Sequence, residues 1–140
     1  MSVFDNVSAN KMNELGMDLF KIGSAEVTRL DLLEEVKSFN KPIILSTGMS
    51  TLEEIDKAVD VLKGSDLTLM HCTSAYPCDE TDINLNVIPT LQKRYNLPIG
   101  LSGHYRQGSG AIESAAVALG SRWIERHFTL DRTLKGTDHA

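Results

Sequence analysis

Short runs rich in apolar residues alternate along this chain with longer segments in which apolar residues return every three or four positions. The short runs are Leu19–Ile22, Pro42–Ser46, Leu67–Cys72, Pro98–Ser102 and Trp123–Phe128, and each has the length of a buried strand. The longer segments have helical spacing. In Thr51–Leu62, residues Leu52, Ile55, Ala58, Val59 and Leu62 fall on one face. Thr51 and Glu54 form a capping-box pattern, in which hydroxyl and carboxylate each satisfy a backbone N–H of the first turn, and Gly64 stops the helix. About Arg29–Ser38, Leu32, Leu33 and Val36 make a buried side. The segment Asn86–Tyr95 carries Pro89 in its first turn, where a missing N–H costs little. Small residues dominate Gly110–Leu119, which suits a helix packed closely on a sheet and ended by Gly120. A helix about Ser8–Leu15 is closed by Gly16.

Helix and strand therefore take turns, the signature of βα units around a parallel sheet and of the α/β class. Right-handed crossovers lead either to a doubly wound sheet or to a (β/α)8 barrel, and alternation alone does not choose between them. A complete barrel takes about 250 residues. A chain of 140 residues is expected to hold only part of one.

Composition narrows the function by exclusion. A hydrophobic fraction of 41% supplies an ordinary core for one domain. The net charge is −5 and the basic residues are scattered, with Lys93-Arg94 the only adjacent pair, so there is no electrostatic case for nucleic acid. No apolar run approaches the roughly 20 residues of a bilayer crossing, and the polar start Met1–Asn13 lacks a signal-type segment. Cys72 and Cys78 are too few for a disulfide framework; two reduced thiols in a cytoplasmic protein are expected.

Ligands of parallel α/β folds sit beyond the C-terminal ends of the strands. There this chain places Lys21-Ile22-Gly23-Ser24-Ala25-Glu26, Ser46-Thr47-Gly48, His71-Cys72-Thr73-Ser74-Ala75-Tyr76-Pro77, Ser102-Gly103-His104-Tyr105 and Glu125-Arg126-His127. A lysine and hydroxyls from separate strands can hold an anion, which makes Lys21, Ser24, Ser46 and Ser102 candidates. Taken singly, each serine could equally cap a helix or satisfy a turn. His104 and His127 end neighbouring strands, which lie about 4.8 Å apart, so their imidazoles could share one metal and leave positions open for water and substrate. A structural role for the pair stays open on spacing alone, and His71 is read as structural. Glu125 shares parity with His127, so its carboxylate either orients a ligand imidazole or forms an ion pair with Arg126 or Lys21.

Six motifs now stand in order: Lys-Ile-Gly-Ser at 21–24, Leu-Ser-Thr-Gly-Met at 45–49, His-Cys-Thr-Ser-Ala-Tyr-Pro at 71–77, Leu-Ser-Gly-His at 101–104, Glu-Arg-His-Phe-Thr-Leu-Asp at 125–131 and Lys-Gly-Thr-Asp-His-Ala at 135–140. Together they make the chain resemble the sialic acid synthase (N-acetylneuraminate synthase) family over essentially its whole length. Ser2-Val3-Phe4-Asp5 is similar to the end of that family's third strand. The resemblance implies a (β/α)8 barrel followed by an antifreeze-like domain, in a domain-swapped homodimer. Residues 1–140 would then be a partial barrel holding strands three to eight, without the first two strands, the last helix and the C-terminal domain.

The resemblance further implies condensation of phosphoenolpyruvate with an N-acetylmannosamine-type amino sugar, giving a sialic acid-like nonulosonic acid and phosphate. By the same likeness Lys21, Ser24, Ser46 and Ser102 hold phosphoenolpyruvate, and His104 and His127 bind a divalent metal, manganese or magnesium. Glu26, Tyr76 and Asp138 contact the sugar, and Glu26, His127 and Asp138 form the catalytic set. Ser74, also on the substrate side, stands where one branch of the family has asparagine, which leaves the amino sugar open. Three alternatives are another phosphoenolpyruvate-dependent sugar-acid synthase, a non-catalytic barrel fragment, and a metal hydrolase built on the two histidines, which would have no need of Lys21 and the serines.

Overall fold

A computed structural model of the chain describes residues 2–106 and 110–136. Strands and helices alternate through them: β1 (Ser2–Val3), α1 (Asn6–Glu14), β2 (Phe20–Ile22), α2 (Leu30–Ser38), β3 (Ile43–Ser46), α3 (Leu52–Val61), β4 (Leu67–Cys72), α4 (Val87–Tyr95), β5 (Ile99–Gly103), α5 (Ala111–Ala118) and β6 (Ile124–Arg126). Two short 3₁₀ turns, Ser24–Glu26 and Glu80–Asp82, interrupt the loops after β2 and β4. Strand order in the sheet is the order in the chain, β1-β2-β3-β4-β5-β6. Pairing is parallel between β1 and β2, β2 and β3, and β5 and β6. A doubly wound sheet reverses its strand order at a switch point, whereas a barrel adds each βα unit on the same side. The unbroken order therefore makes this a partial (β/α)8 barrel.

The chain divides into two compact units between Leu69 and Met70. In the first, Phe20 and Ile22 of β2, Ile43 and Leu45 of β3, and Leu32, Leu33 and Val36 of α2 are buried and form the core. Each such aliphatic side chain contributes about 1.5–3 kcal/mol by leaving water. The helix α1 begins two residues ahead of the expected Ser8, because the Asp5 side chain accepts a hydrogen bond from the Ser8 N–H at 2.7 Å and so caps the first turn. At α3 the capping box is present as expected, with Glu54 N–H to Thr51 Oγ1 at 3.3 Å and Thr51 N–H to Glu54 Oε2 at 2.8 Å. Register places Lys21 beside Ile44 and Ile22 beside Leu45. Lys21 thus shares a face with Ile44 and, two residues on, with Ser46.

In the second unit the register pairs Leu101 with Ile124, Ser102 with Glu125, and Gly103 with Arg126. Gly100 is fitted to its surroundings, since a Cβ there would run into Met70 Sδ and come within 2.8 Å of Trp123 Cβ. The helix α4 ends on Asn96, left-handed at φ 52°, a conformation that asparagine tolerates better than most residues. His71 is buried and its Nε2 lies 2.6 Å from the Ile83 carbonyl, which ties β4 to the loop that follows it. The strand β6 stops at Arg126, so His127 and Phe128 lie past its end rather than within it. Among the described residues no helix is long and apolar enough to cross a membrane.

Candidate functional site

His104 directly follows β5 and His127 directly follows β6. Their ring centroids are 5.1 Å apart and their planes nearly perpendicular at 82°, close to the strand spacing itself. Tyr76, from the loop after β4, packs against His104 with centroids 4.3 Å apart and planes tilted by 39°, and lies 5.9 Å from His127. The His104 Nδ1 lies 3.2 Å from the Thr73 carbonyl oxygen. A carbonyl only accepts, so this contact assigns the proton to Nδ1 and puts the ring's lone pair on Nε2. That lone pair faces the Tyr76 hydroxyl at 3.3 Å and Ser102 Oγ at 3.4 Å. An imidazole whose far nitrogen is held by a carbonyl has the arrangement of a metal ligand.

Ser102 Oγ donates to Glu125 Oε1 at 2.6 Å, a short, charge-assisted bond between residues opposite one another in register. Arg126 turns elsewhere, with Nη1 3.3 Å from Glu113 Oε1 and Nη2 donating to the Tyr105 carbonyl at 2.9 Å. Two imidazoles with one lone pair already oriented fit a divalent cation that takes nitrogen donors and completes its shell with oxygen. Among the described residues no group of three or more His, Cys, Asp or Glu side chains gathers to hold a metal.

Three of the four anion candidates lie in the first unit, on β2, β3 and the turn after β2. Ser24 Oγ accepts from the Gly48 N–H at 3.0 Å, joining the turn after β2 to the turn after β3. Ser46 is 3% exposed, and its buried Oγ has no hydrogen-bond partner among the described residues. Such a hydroxyl costs about 1–3 kcal/mol to leave unsatisfied, so neither a helix cap nor a turn accounts for it. Glu26 closes the 3₁₀ turn, with Oε2 3.9 Å from Arg29 Nη1. Ser74 and Tyr76 are exposed on the loop after β4, and Asp138 lies outside the described residues. The structure therefore brings Tyr76, Ser102, His104, Glu125 and His127 together in the second unit.

Thr73 and Tyr105 stand in runs quoted from the sequence, but neither is singled out there. Thr73 acts through a backbone atom, which sequence does not display. Tyr105 is 4% exposed; burial, with help from the neighbouring Glu113 carboxyl, pushes its phenol up to about 12.

The whole chain, residues 1–140, matches the NeuB family. It is 45% identical over 141 residues to the N,N'-diacetyllegionaminic acid synthase of Campylobacter jejuni, a match covering 97% of this chain and 42% of that protein. It is 40% identical over 142 residues to the N-acetylneuraminate-9-phosphate synthase of Drosophila melanogaster, covering 99% of this chain and 38% of that one. The crystal structure of N-acetylneuraminic acid synthetase from Leptospira borgpetersenii, in complex with citrate, superposes with a TM-score of 0.92 at 39% identity, over 99% of this chain and 48% of that one. The chain spans about two-fifths of the length of the two curated relatives.

Proposed function

This chain belongs to the NeuB family, and from that premise we propose that it serves the condensation of phosphoenolpyruvate with an N-acetylmannosamine-type amino sugar to a sialic acid-like nonulosonic acid and phosphate. The observation that carries this reading is the His104–His127 pair, 5.1 Å apart, with Nε2 of His104 turned towards Tyr76 and Ser102. Lys21, Ser24, Ser46 and Ser102 take the charged groups of phosphoenolpyruvate, and the unpartnered hydroxyl of Ser46 supplies a donor that is already desolvated. Glu26, Ser74, Tyr76 and Asp138 take the sugar. His104 and His127 would hold a divalent cation, manganese or magnesium, which when bound polarises the sugar aldehyde as a Lewis acid.

Carbon 3 of phosphoenolpyruvate attacks the aldehyde carbon, forming the new C–C bond, and positive charge develops at carbon 2. Water adds there and its first proton passes through Glu26 to the alkoxide left on the former aldehyde oxygen; the hydroxyl at carbon 2 then becomes the keto oxygen as phosphate departs by C–O cleavage, carrying the second proton. Holding two substrates in line supplies much of the rate, since effective molarities reach about 10⁵ M or more. On the same family resemblance the working unit is a homodimer in the cytoplasm. The named relatives make different nonulosonic acids, so the amino sugar is proposed at the level of its class.

The test is product mass and phosphate release from phosphoenolpyruvate with N-acetylmannosamine, its 6-phosphate or a diacetamido sugar. A nine-carbon acid from one of them is expected, and His127→Ala should abolish it. Turnover only with a five- or four-carbon sugar phosphate would transfer the protein to the neighbouring class of sugar-acid synthases.

A further inference from the structure

Behind the two imidazoles, Tyr105 and Arg126 are in close contact. Tyr105 follows His104 in the chain, and Arg126 precedes His127. The Arg126 guanidinium lies over the Tyr105 ring, 3.8 Å from its centroid. Its Nη2 donates to the Tyr105 carbonyl at 2.9 Å and its Nη1 reaches Glu113 of α5 at 3.3 Å. The ring is folded back across Gly103, the register partner of Arg126. A Cβ at Gly103 would come within 2.6 Å of Tyr105 Cε1 and 3.2 Å of Arg126 Cδ, so the glycine of the Leu-Ser-Gly-His motif makes room for this stack. On its other flank the His104 carbonyl accepts from the Cys78 N–H at 2.9 Å. Successive side chains of a strand alternate in direction, so Arg126 leaves β6 on the face opposite Glu125, whose partner Ser102 lies beside His104.

We infer that Arg126, through Tyr105, is a positioning residue that sets the spacing of the His104 and His127 imidazoles and thereby the affinity of the pair for a divalent cation; this rests on the metal-binding part of the function proposed above. A guanidinium is suited to the task because its planar fork makes two hydrogen bonds while its face stacks on a ring, whereas an ammonium cannot do all three at once. The contact ties the residue after one imidazole to the residue before the other. Loosening it lets the two strand ends drift apart without removing either ligand.

The test uses Arg126→Lys, Arg126→Met and Tyr105→Phe in the full chain, at a temperature where thermal melts show each variant folded. Arg126→Lys, which retains the cation and its stem, keeps the comparison within folded protein should Arg126→Met fail to fold. Two readouts are taken: the Mn²⁺ dissociation constant by electron paramagnetic resonance, and, without metal, the nuclear Overhauser contact between the two imidazoles together with the ring-current shift that Tyr76 imposes on His104. Losing a group that orients a ligand typically weakens metal binding about 10–100-fold. Both Arg126 variants are expected to fall in that range, to lose the inter-imidazole contact and to shift the His104 ring protons. Tyr105→Phe should resemble wild type in both readouts, because it keeps the ring face and the carbonyl that meet Arg126. Wild-type affinity and unchanged imidazole signals in Arg126→Lys would overturn the inference. Should wild-type protein take up no Mn²⁺, the metal reading fails, while the metal-free signals still decide whether Arg126 positions the pair.

Discussion

Ser102 and Glu125 face each other across β5 and β6, and the serine hydroxyl gives its only proton to the carboxylate at 2.6 Å. The same oxygen sits 3.4 Å from His104 Nε2. Glu125 thereby keeps the Ser102 proton turned away from the lone pair that a cation would use. In Glu125→Ala the hydroxyl is released to donate to His104 instead, and it competes with metal. Divalent-cation affinity should fall about tenfold or more, as read by Mn²⁺ titration. An unchanged dissociation constant would show that the carboxylate has no part in keeping the Ser102 proton from Nε2.

Ser46→Ala should separate stability from binding. The buried Oγ has no partner among the described residues, so removing it relieves an unsatisfied polar group worth about 1–3 kcal/mol at most and leaves a side chain of nearly the same shape. The melting temperature is expected to hold or rise while phosphoenolpyruvate binding weakens. A fall of several degrees would mean that the hydroxyl is satisfied in the folded protein.

His71 carries a pH dependence of opposite sense to that of a salt-bridged histidine. Burial holds its imidazole below its ordinary value of 6.5, outweighing the hydrogen bond to Ile83. As pH falls through about 6.5, the unfolded chain takes up a proton that the folded chain still refuses, so stability is full above that point and declines below it. The fall in melting temperature from about pH 7.5 to about pH 5.5 should be smaller in His71→Gln than in wild type. Parallel curves would remove His71 as a source of acid sensitivity.

The capping box of α3 gives a local test of the fold. Thr51→Ala removes the acceptor for the Glu54 N–H and should cost about 1 kcal/mol, a loss of roughly 3–5 °C in melting temperature for a domain of this size. Thr51→Ser, which restores the oxygen, should recover most of it.

Much of the architecture can be read from the chain because strands buried on two faces leave apolar runs, while helices repeat their apolar positions with another period. Leu67–Cys72 and the Thr51–Glu54 cap are read without error on that basis. Edges are harder. The helix α1 starts at Asn6 rather than Ser8 because Asp5, read as the end of a strand, spends its carboxylate on capping. The strand β6 is shorter than its apolar run because pairing with β5 ends where β5 ends, at Gly103 opposite Arg126. The neighbourhood of His104 and His127 follows from their places at the ends of neighbouring strands and is legible. The tautomer of His104 is not, since a backbone oxygen decides it. Nor is the destination of Arg126, whose alternatives in the sequence did not include Glu113, thirteen residues earlier on α5.

Consecutive strand order also has a temporal side. Each strand borders in the sheet the one made just before it, so pairing closes only short stretches of chain and asks little search of the polymer. A chain emerging residue by residue from the ribosome always has its next docking edge already synthesised, and assembly can advance unit by unit in the direction of translation.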